Sequence, residues 1–479
     1  MAGSAEVFKK AFTGQFAVQP TSDQAEAIHH LSEFCCSGNY REVFILRGYA
    51  GTGKTTLLGA LSGILPSFKM KSELLAPTGR AAKVISNYSG RPAQTIHRKI
   101  YQKLPSTQGG VLFALGTNNH KNTIFIVDEA SMIADTRSRS EFGDNNLLQD
   151  LLEYVFSGEN CKLIFTGDTA QLPPVGSTFS PALNKQYLER NFSLRIIEHD
   201  LKTVVRQAEQ SGILLNATNL RVQLLSDPSK LPQLLKTKDV VKVEGFDLED
   251  TLNTAYSKYG FENVLVICRS NKRANGFNKQ IRFRIKWQEN ELSAGDLLMV
   301  VKNNYFWTEG NLPAGKTGKK TDFIANGENL QVERLMKHRE MYGFKFVDAV
   351  VRLTDAEDDL SLEVTLLMDT LESEAPALTQ DQQRQLFENV MADFGEQPTK
   401  AKLFSMLKQS PYYNALQVKF SYAITCHKAQ GGQWNCVFID QGYFTREMLN
   451  EDYYRWLYTA ITRASEKVYL VGFSDEFFE

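Results

Sequence analysis

No stretch of this chain reaches the roughly 18 uninterrupted apolar residues of a membrane span, and the N-terminus lacks a basic region followed by an apolar core. Nothing addresses it to a membrane or for export, so a cytoplasmic protein with no membrane partner is expected. Cysteine is scarce and scattered. Cys35, Cys36, Cys161, Cys268, Cys426 and Cys436 show no CxxC spacing, which argues against a disulfide framework or a zinc ribbon and for reduced thiols. Charge bias is also missing: 54 Lys and Arg against 55 Asp and Glu leave a net charge of -1. No global basic field draws in a polyanion, and any nucleic-acid surface must be local. Tandem repeats and low-complexity tracts are absent as well.

What the chain does have is apolar content for several cores. With 42% hydrophobic residues over 479 positions, a prior of about 150 residues per domain gives two to four domains. After Pro20, Thr21 or Ser22 can cap a helix through Gln24, Ala27, Ile28 and Leu31; residues 1–20 show no clear periodicity and read as a peripheral arm. Short apolar runs at 42–47, 73–76, 123–127 and 162–166 each meet a polar or glycine-bearing turn and then a helical pattern. That alternation implies a parallel, doubly wound α/β sheet. A second alternating block opens near Asn263 with VLVIC and the helical NKRANGFNKQIRFRI, and FSYAIT, NCVFI and KVYLV supply further strands. Between them, residues 291–419 change to short alternating runs such as LLMVV, LQVERL, KFVDAVVRL and LEVTLLM, which read as a small β domain inserted into the second unit. Residues 372–408 are polar and helix-prone, compatible with a helical excursion or a mobile surface segment.

Chemistry concentrates after the first apolar run. Gly48-Tyr-Ala-Gly-Thr-Gly53-Lys54-Thr55 satisfies the phosphate-loop pattern, in which glycines let backbone N–H groups curl round an anion and the next helix adds its positive end. Gly48, Ala50, Gly51, Thr52, Gly53, Lys54, Thr55 and Thr56 are the expected ATP cradle. Lys54 is placed for the β and γ phosphates, and the Thr55 hydroxyl for Mg²⁺, a hard cation that prefers oxygen. The run at 124–127 delivers Asp128 and Glu129 to the end of a buried strand, where two carboxylates can divide labour: Asp128 orienting Mg²⁺, Glu129 accepting the proton of an attacking water. An isolated Asp-Glu is common at helix starts; its distance beyond the loop favours the catalytic reading. Gln171, in LIFTGDTAQLPP, carries an amide that can donate to phosphate and accept from water, although Gly, Asp and Pro are also ordinary turn residues.

The ordered set GYAGTGKTT, LAPTGRAAKVI, TIHRKI, IVDEASMI, FTGDTAQLPPV, VVRQ, SYAITCHKAQGGQWNCVFI and YTAITRASEKVYLVG resembles the motif series of superfamily 1 DNA helicases, most closely the RecD-like branch that includes the phage Dda helicases. The resemblance runs from about Thr21 to Gly472. It implies two RecA-like domains with ATP between them, residues 21–205 forming the first and 206–290 with 420–479 the second, and an SH3-like accessory module at 291–419. It further implies adenine recognition by Gln24, arginines Arg206 and Arg463 reaching the γ phosphate from the second domain, and a strand-tracking groove holding Thr78, His97, Thr425, His427 and Lys428. The implied partners are single-stranded DNA and forked duplex DNA, together with replication or recombination proteins. Movement 5′ to 3′ and action as a monomer are expected by analogy.

Departures and rivals stand beside this. The family often carries a duplex-splitting hairpin where this chain has residues 99–122, whose GG and NN turns permit one, and residues 134–146 lengthen the connection after Glu129 without an evident role. An ATP-gated clamp, or a helicase subunit of a recombination complex without unwinding of its own, shares every nucleotide motif. A nucleotide kinase does not need Arg206, Arg463 or TCHKAQG.

Overall fold

The computed structural model describes residues 2–16, 19–104, 112–135, 138–140, 143–205, 211–304, 306–307, 324–354, 361–393, 406–407 and 409–479. In chain order its first half contains β1 (Glu42–Gly48), β2 (Lys71–Ala76), β3 (Ala93–Thr95), β4 (Tyr101–Leu104), β5 (Leu112–Leu115), β6 (Thr123–Val127), β7 (Ser138–Ser140), β8 (Gly143–Asn145), β9 (Lys162–Gly167) and β10 (Arg195–Leu201). Six of these form one sheet in the order β10-β1-β9-β6-β2-β3, with every neighbouring pair parallel. β6 and β9 are buried along their whole length, as expected of parallel strands covered on both faces, which need continuous apolar runs rather than alternation. β10 lies at the edge and is half exposed; with one strand neighbour it tolerates the sequence RIIEHDL, and no apolar run announces it.

The second half contains β11 (Val240–Val243), β12 (Val264–Cys268), β13 (Leu297–Val300), β14 (Asn329–Met341), β15 (Phe344–Leu353), β16 (Ser361–Leu367), β17 (Leu416–Phe420), β18 (Ala423–Thr425), β19 (Trp434–Asp440) and β20 (Ala464–Val471). A second parallel sheet has the order β11-β20-β19-β12-β18, and β13 to β17 close into a barrel. The two parallel α/β sheets expected from the alternating pattern are therefore present. The barrel lies between β12 and β18 in the chain and shares one apolar core with the second sheet: Val264, Val266 and Phe438 pack in the same cluster as Leu298, Val332, Val351 and Leu416. A buried ion pair reinforces this junction. Arg282 Nη2 lies 2.9 Å from Asp296 Oδ2, and the Tyr422 hydroxyl donates to Asp296 Oδ1 at 2.9 Å, so the carboxylate is fully compensated.

One expectation changes, and an open alternative narrows to a helix. Residues 1–20 do not simply hang off the first sheet as a peripheral arm, because Ala2–Thr13 is a helix whose Phe8 and Phe12 are fully buried. Phe8 lies 4.6 Å from the Phe68 ring, and both phenylalanines join the core made by Ile28, Leu31 and Leu57. An i, i+4 aromatic pair is enough to dock a short helix, even where the flanking sequence shows no longer period. Within residues 372–408, Gln380–Ala392 is a helix started by Thr379, whose side chain accepts from Gln382 N–H while the Gln382 side chain accepts from the cap in return. The second helix of the first unit, Ser22–Cys36, begins with the same reciprocal cap between Thr21 and Gln24.

Both insertions in the first unit form two-stranded antiparallel ribbons. β4 pairs with β5 from Tyr101↔Leu115 to Leu104↔Leu112, and β7 pairs with β8. Residues 105–111, which join β4 to β5, lie outside the described residues.

Candidate active site

The phosphate loop follows β1 directly and ends where the helix Lys54–Ile64 begins. Gly51 and Gly53 adopt φ of 75° and 82°, in the left-handed region that glycine enters without strain. Crowding adds a second constraint at Gly53, where a Cβ would come within 2.5 Å of Gln24 Nε2. Lys54 Nζ donates to the carbonyls of Gly48 at 2.5 Å and Tyr49 at 3.0 Å, which holds its ammonium over the loop.

Parallel strands deliver their C-terminal ends to one edge, and the polar residues following β6 and β9 arrive beside this loop. Asp128 follows β6, with its Oδ1 accepting the Glu129 N–H at 2.9 Å. Burial, and then the neighbouring Glu129 charge, push the Asp128 carboxyl up to about 6, while Lys54 and Arg463 oppose the shift. Glu129 itself sits at φ 52°, a left-handed turn that is unusual for a non-glycine residue and re-aims the carboxylate off the strand axis. After β9, Asp168 is buried and its carboxyl is raised by desolvation, with Lys54 pulling the other way.

Arg463 crosses from the second unit. It is buried, and its guanidinium donates to the carbonyls of Thr459 at 3.1 Å and Gly432 at 3.3 Å. Its Nη1 lies 3.7 Å from Glu129 Oε1. The structure thus brings together Lys54, Asp128, Glu129 and Arg463 from motifs far apart in the chain. Gln171 joins the same seam: the adjacent Leu172 N–H donates to Thr459 Oγ1 at 2.9 Å, and Leu172 O accepts from Gln430 Nε2 at 2.7 Å. Arg206 lies outside the described residues. Gln24 reaches the loop, with Nε2 donating to Thr52 O at 3.1 Å and Oε1 accepting the Thr21 N–H at 3.1 Å. These bonds brace the loop and use one N–H and one oxygen lone pair of the amide.

Buried polar atoms with no hydrogen-bond partner include Glu129 Oε2, Gln171 Oε1, Ser131 Oγ and Thr166 Oγ1. All belong to the segments at the ends of β6 and β9. Uncompensated polar atoms in such density are costly unless a ligand or water completes them: the Ser131 and Thr166 hydroxyls can donate to phosphate oxygens, and the Glu129 and Gln171 oxygens can accept from water. Among the described residues no group of three or more His, Cys, Asp or Glu side chains could hold a metal. A metal site here would consist of Thr55 and Asp128 with phosphate and water oxygens, a composition that suits Mg²⁺ rather than a transition metal.

The predicted strand-binding residues are divided between the two units, and Thr78 lies where these meet. Thr78 caps the helix Gly79–Ser89, accepting from Ala81 N–H at 3.2 Å. Gly431 approaches this cap so closely that a Cβ on it would lie 2.7 Å from Ala81 Cβ and 3.3 Å from Thr78 Oγ1. Thr425 starts the short helix Cys426–Ala429, which carries His427 and Lys428. Desolvation lowers the Lys428 ammonium to about 8, and Lys428 has no ion-pair partner among the described residues. His97 packs 5.8 Å from the Tyr101 ring, and removal from water pushes its imidazole down to about 4. Sequence reasoning assigns no part to Arg80, Lys419 or Arg221. Arg80 stacks 3.8 Å above the Trp434 ring and donates to Gln433 O at 3.2 Å, clasping the two units. Lys419 is buried near Lys428, and desolvation together with that charge lowers it to about 8. Arg221 lies 4.1 Å over Tyr49 in the phosphate loop. Arg80 and Trp434 stand inside quoted motifs, so position offered a signal there; Lys419 and Arg221 offered none.

Residues 19–224 match the AAA domain family and residues 420–471 the UvrD-like helicase C-terminal domain. The RecBCD enzyme subunit RecD of Buchnera aphidicola is 23% identical over 89% of this chain and 69% of its own length. The ATP-dependent DNA helicase dda of phage T4 is 27% identical over 53% of this chain and 55% of its own. The ATP-dependent RecD2 DNA helicase of Deinococcus radiodurans is 34% identical over 27% of this chain and 16% of its own. The chain is similar to members of the RecD/Dda-like branch of superfamily 1 helicases. The chain spans less than two thirds of the length of several relatives, down to 16% for RecD2. No helix among its described residues is long and apolar enough to cross a membrane.

Proposed function

We propose that the chain is an ATP-driven motor that translocates on single-stranded DNA, 5′ to 3′, and separates the strands of forked duplex DNA. The observation that carries this reading is the seam: Lys54 and Glu129 of the first unit face Arg463 of the second, 3.7 Å from Glu129. In this reading the phosphate loop and Lys54 hold the β and γ phosphates of ATP. Thr55 and Asp128 would hold Mg²⁺, which would supply positive charge to offset that of the phosphates. Glu129 takes the proton of the attacking water, with Gln171 orienting that water. Arg463, assisted by Arg206, stabilises negative charge that grows in the transition state. Anion contacts supplied by both units favour their closure, and loss of the γ phosphate removes that bias. Thr78 and Thr425 face the strand backbone together with His427 and Lys428, a set suited to phosphates and sugars rather than base edges. The β4–β5 ribbon is placed in the duplex-splitting role, and the barrel in that of the SH3-like accessory module.

Three relatives support DNA as the track: RecD2 and dda are named ATP-dependent DNA helicases, and RecD is a subunit of the RecBCD enzyme. An ATPase assay with and without single-stranded DNA and RNA oligonucleotides tests the reading. Stimulation of at least about tenfold by DNA, and not by RNA, is expected; turnover indifferent to both defeats it. Displacement of streptavidin from a biotinylated strand then separates a translocating motor from an ATP-gated clamp.

A further inference from the structure

Tyr458 lies in the helix Glu451–Ile461, shortly before Arg463, and is almost fully buried. Its hydroxyl is saturated by two residues of the other unit, donating to Asp168 Oδ2 at 2.5 Å and accepting the Ala50 N–H of the phosphate loop at 3.0 Å. The remaining oxygen of that carboxylate, Oδ1, accepts the Ala170 N–H at 2.9 Å. A buried carboxylate without a salt-bridge partner among the described residues depends on such donors, and packing alone would be served equally by phenylalanine. Burial and the Asp168 charge both push the phenol upward, so it stays protonated and able to donate.

The same helix touches the first unit at neighbouring points. Thr459 Oγ1 accepts the Leu172 N–H at 2.9 Å, and Arg455 donates to Thr169 O. It also touches the strand-facing side of its own unit, since Cys426, next to His427 and Lys428, donates through Sγ to Trp456 O at 3.5 Å. A continuous set of contacts therefore runs from the proposed DNA groove through Trp456 and Tyr458 to a backbone N–H of the phosphate loop. Resting on the two-unit motor reading, we propose that Tyr458 is a positioning residue that couples strand engagement to the phosphate loop, through its paired hydrogen bonds to Ala50 and Asp168. It touches neither nucleotide nor strand; it sets where the loop lies relative to the helix that leads to Arg463.

The variant Tyr458→Phe keeps the ring and removes both bonds. Turnover of the full chain is measured at saturating ATP with and without an oligo(dT) strand, alongside the KM for ATP in each condition. The ratio of stimulated to basal turnover is expected to fall at least fivefold. A ratio within twofold of the wild type overturns the proposal, and so does a fall of both rates in equal proportion, which is what a purely structural defect produces. If Tyr458→Phe does not fold, Asp168→Ala takes its place, because it removes the acceptor for the phenol and is expected to lower the same ratio; a normal ratio there overturns the proposal equally. Wild-type turnover that ignores oligonucleotide defeats the motor reading itself. A stimulated wild type with an equally stimulated Tyr458→Phe defeats only the role of Tyr458.

Discussion

The guanidinium of Arg463 lies 3.7 Å from the carboxylate of Glu129, joining the two sheets across the proposed nucleotide seam. Arg463→Ala is expected to retain nucleotide binding and to lose turnover by about 10³-fold or more, the scale of an arginine that supports phosphoryl transfer. Because Arg463 also holds the carbonyls of Gly432 and Thr459, the variant also loses internal bonds. Arg463→Lys, a point charge without the planar fork, serves as the milder companion. Equilibrium binding of a fluorescent ATP analogue beside steady-state turnover makes the measurement, and unchanged turnover removes Arg463 from the mechanism.

Lys54 donates to two carbonyls of its own loop and stands at the start of the helix Lys54–Ile64. Lys54→Ala is expected to abolish hydrolysis, while thermal unfolding changes little because the side chain is only partly buried. Near-normal turnover in this variant refutes the site.

Lys428 has its ammonium lowered to about 8 by desolvation, so it is mostly charged at pH 7 and mostly neutral at pH 9. Its attraction for a phosphate is therefore present below pH 8 and fades as pH rises through that value. Affinity for a single strand should weaken between pH 7 and pH 9 more in the wild type than in Lys428→Arg, whose charge does not titrate in this range. Lys428→Ala should also reduce the slope of log affinity against log salt by about 0.7, the share of one phosphate on a single strand. Fluorescence anisotropy of a labelled oligonucleotide over a salt and pH grid reads both, and an unaltered slope excludes Lys428 from the groove.

Phe12 is fully buried beneath the first sheet. Phe12→Ala is expected to lower stability by about 3–5 kcal/mol, the cost of removing a buried aromatic ring from a packed core. A urea titration that shows no loss would mean that the helix Ala2–Thr13 is dispensable to the first unit.

The phosphate loop is legible in the chain because its requirement is local: an apolar strand, left-handed glycines and a lysine at a helix start, all within a few positions. The reciprocal cap at Thr21 and Gln24 is legible for the same reason. The edge strands β10 and β11 are not, since one free edge relaxes the demand for a continuous apolar run, and β3 spans only Ala93–Thr95. The helix Ala2–Thr13 escapes notice because two phenylalanines supply its anchoring and the residues after it carry no period.

The surroundings of individual side chains are less legible than their positions. Gln24 hydrogen-bonds Thr21 and Thr52, and desolvation pushes the His97 imidazole down to about 4. A motif records residue type at a position; it does not record the hydrogen bonds or the solvent around that side chain.

Taken alone, the order of residues determined two parallel sheets, a phosphate loop on the first and paired carboxylates at a strand end. Short-range sterics and apolar periodicity are enough for these. Only tertiary packing decided that Arg463 meets Glu129, that Tyr458 joins Ala50 to Asp168, and that Arg80 clasps Trp434. Such contacts link residues far apart in the chain, and their geometry follows from how the two sheets with their helices close on one another, which no local pattern of polar and apolar residues encodes.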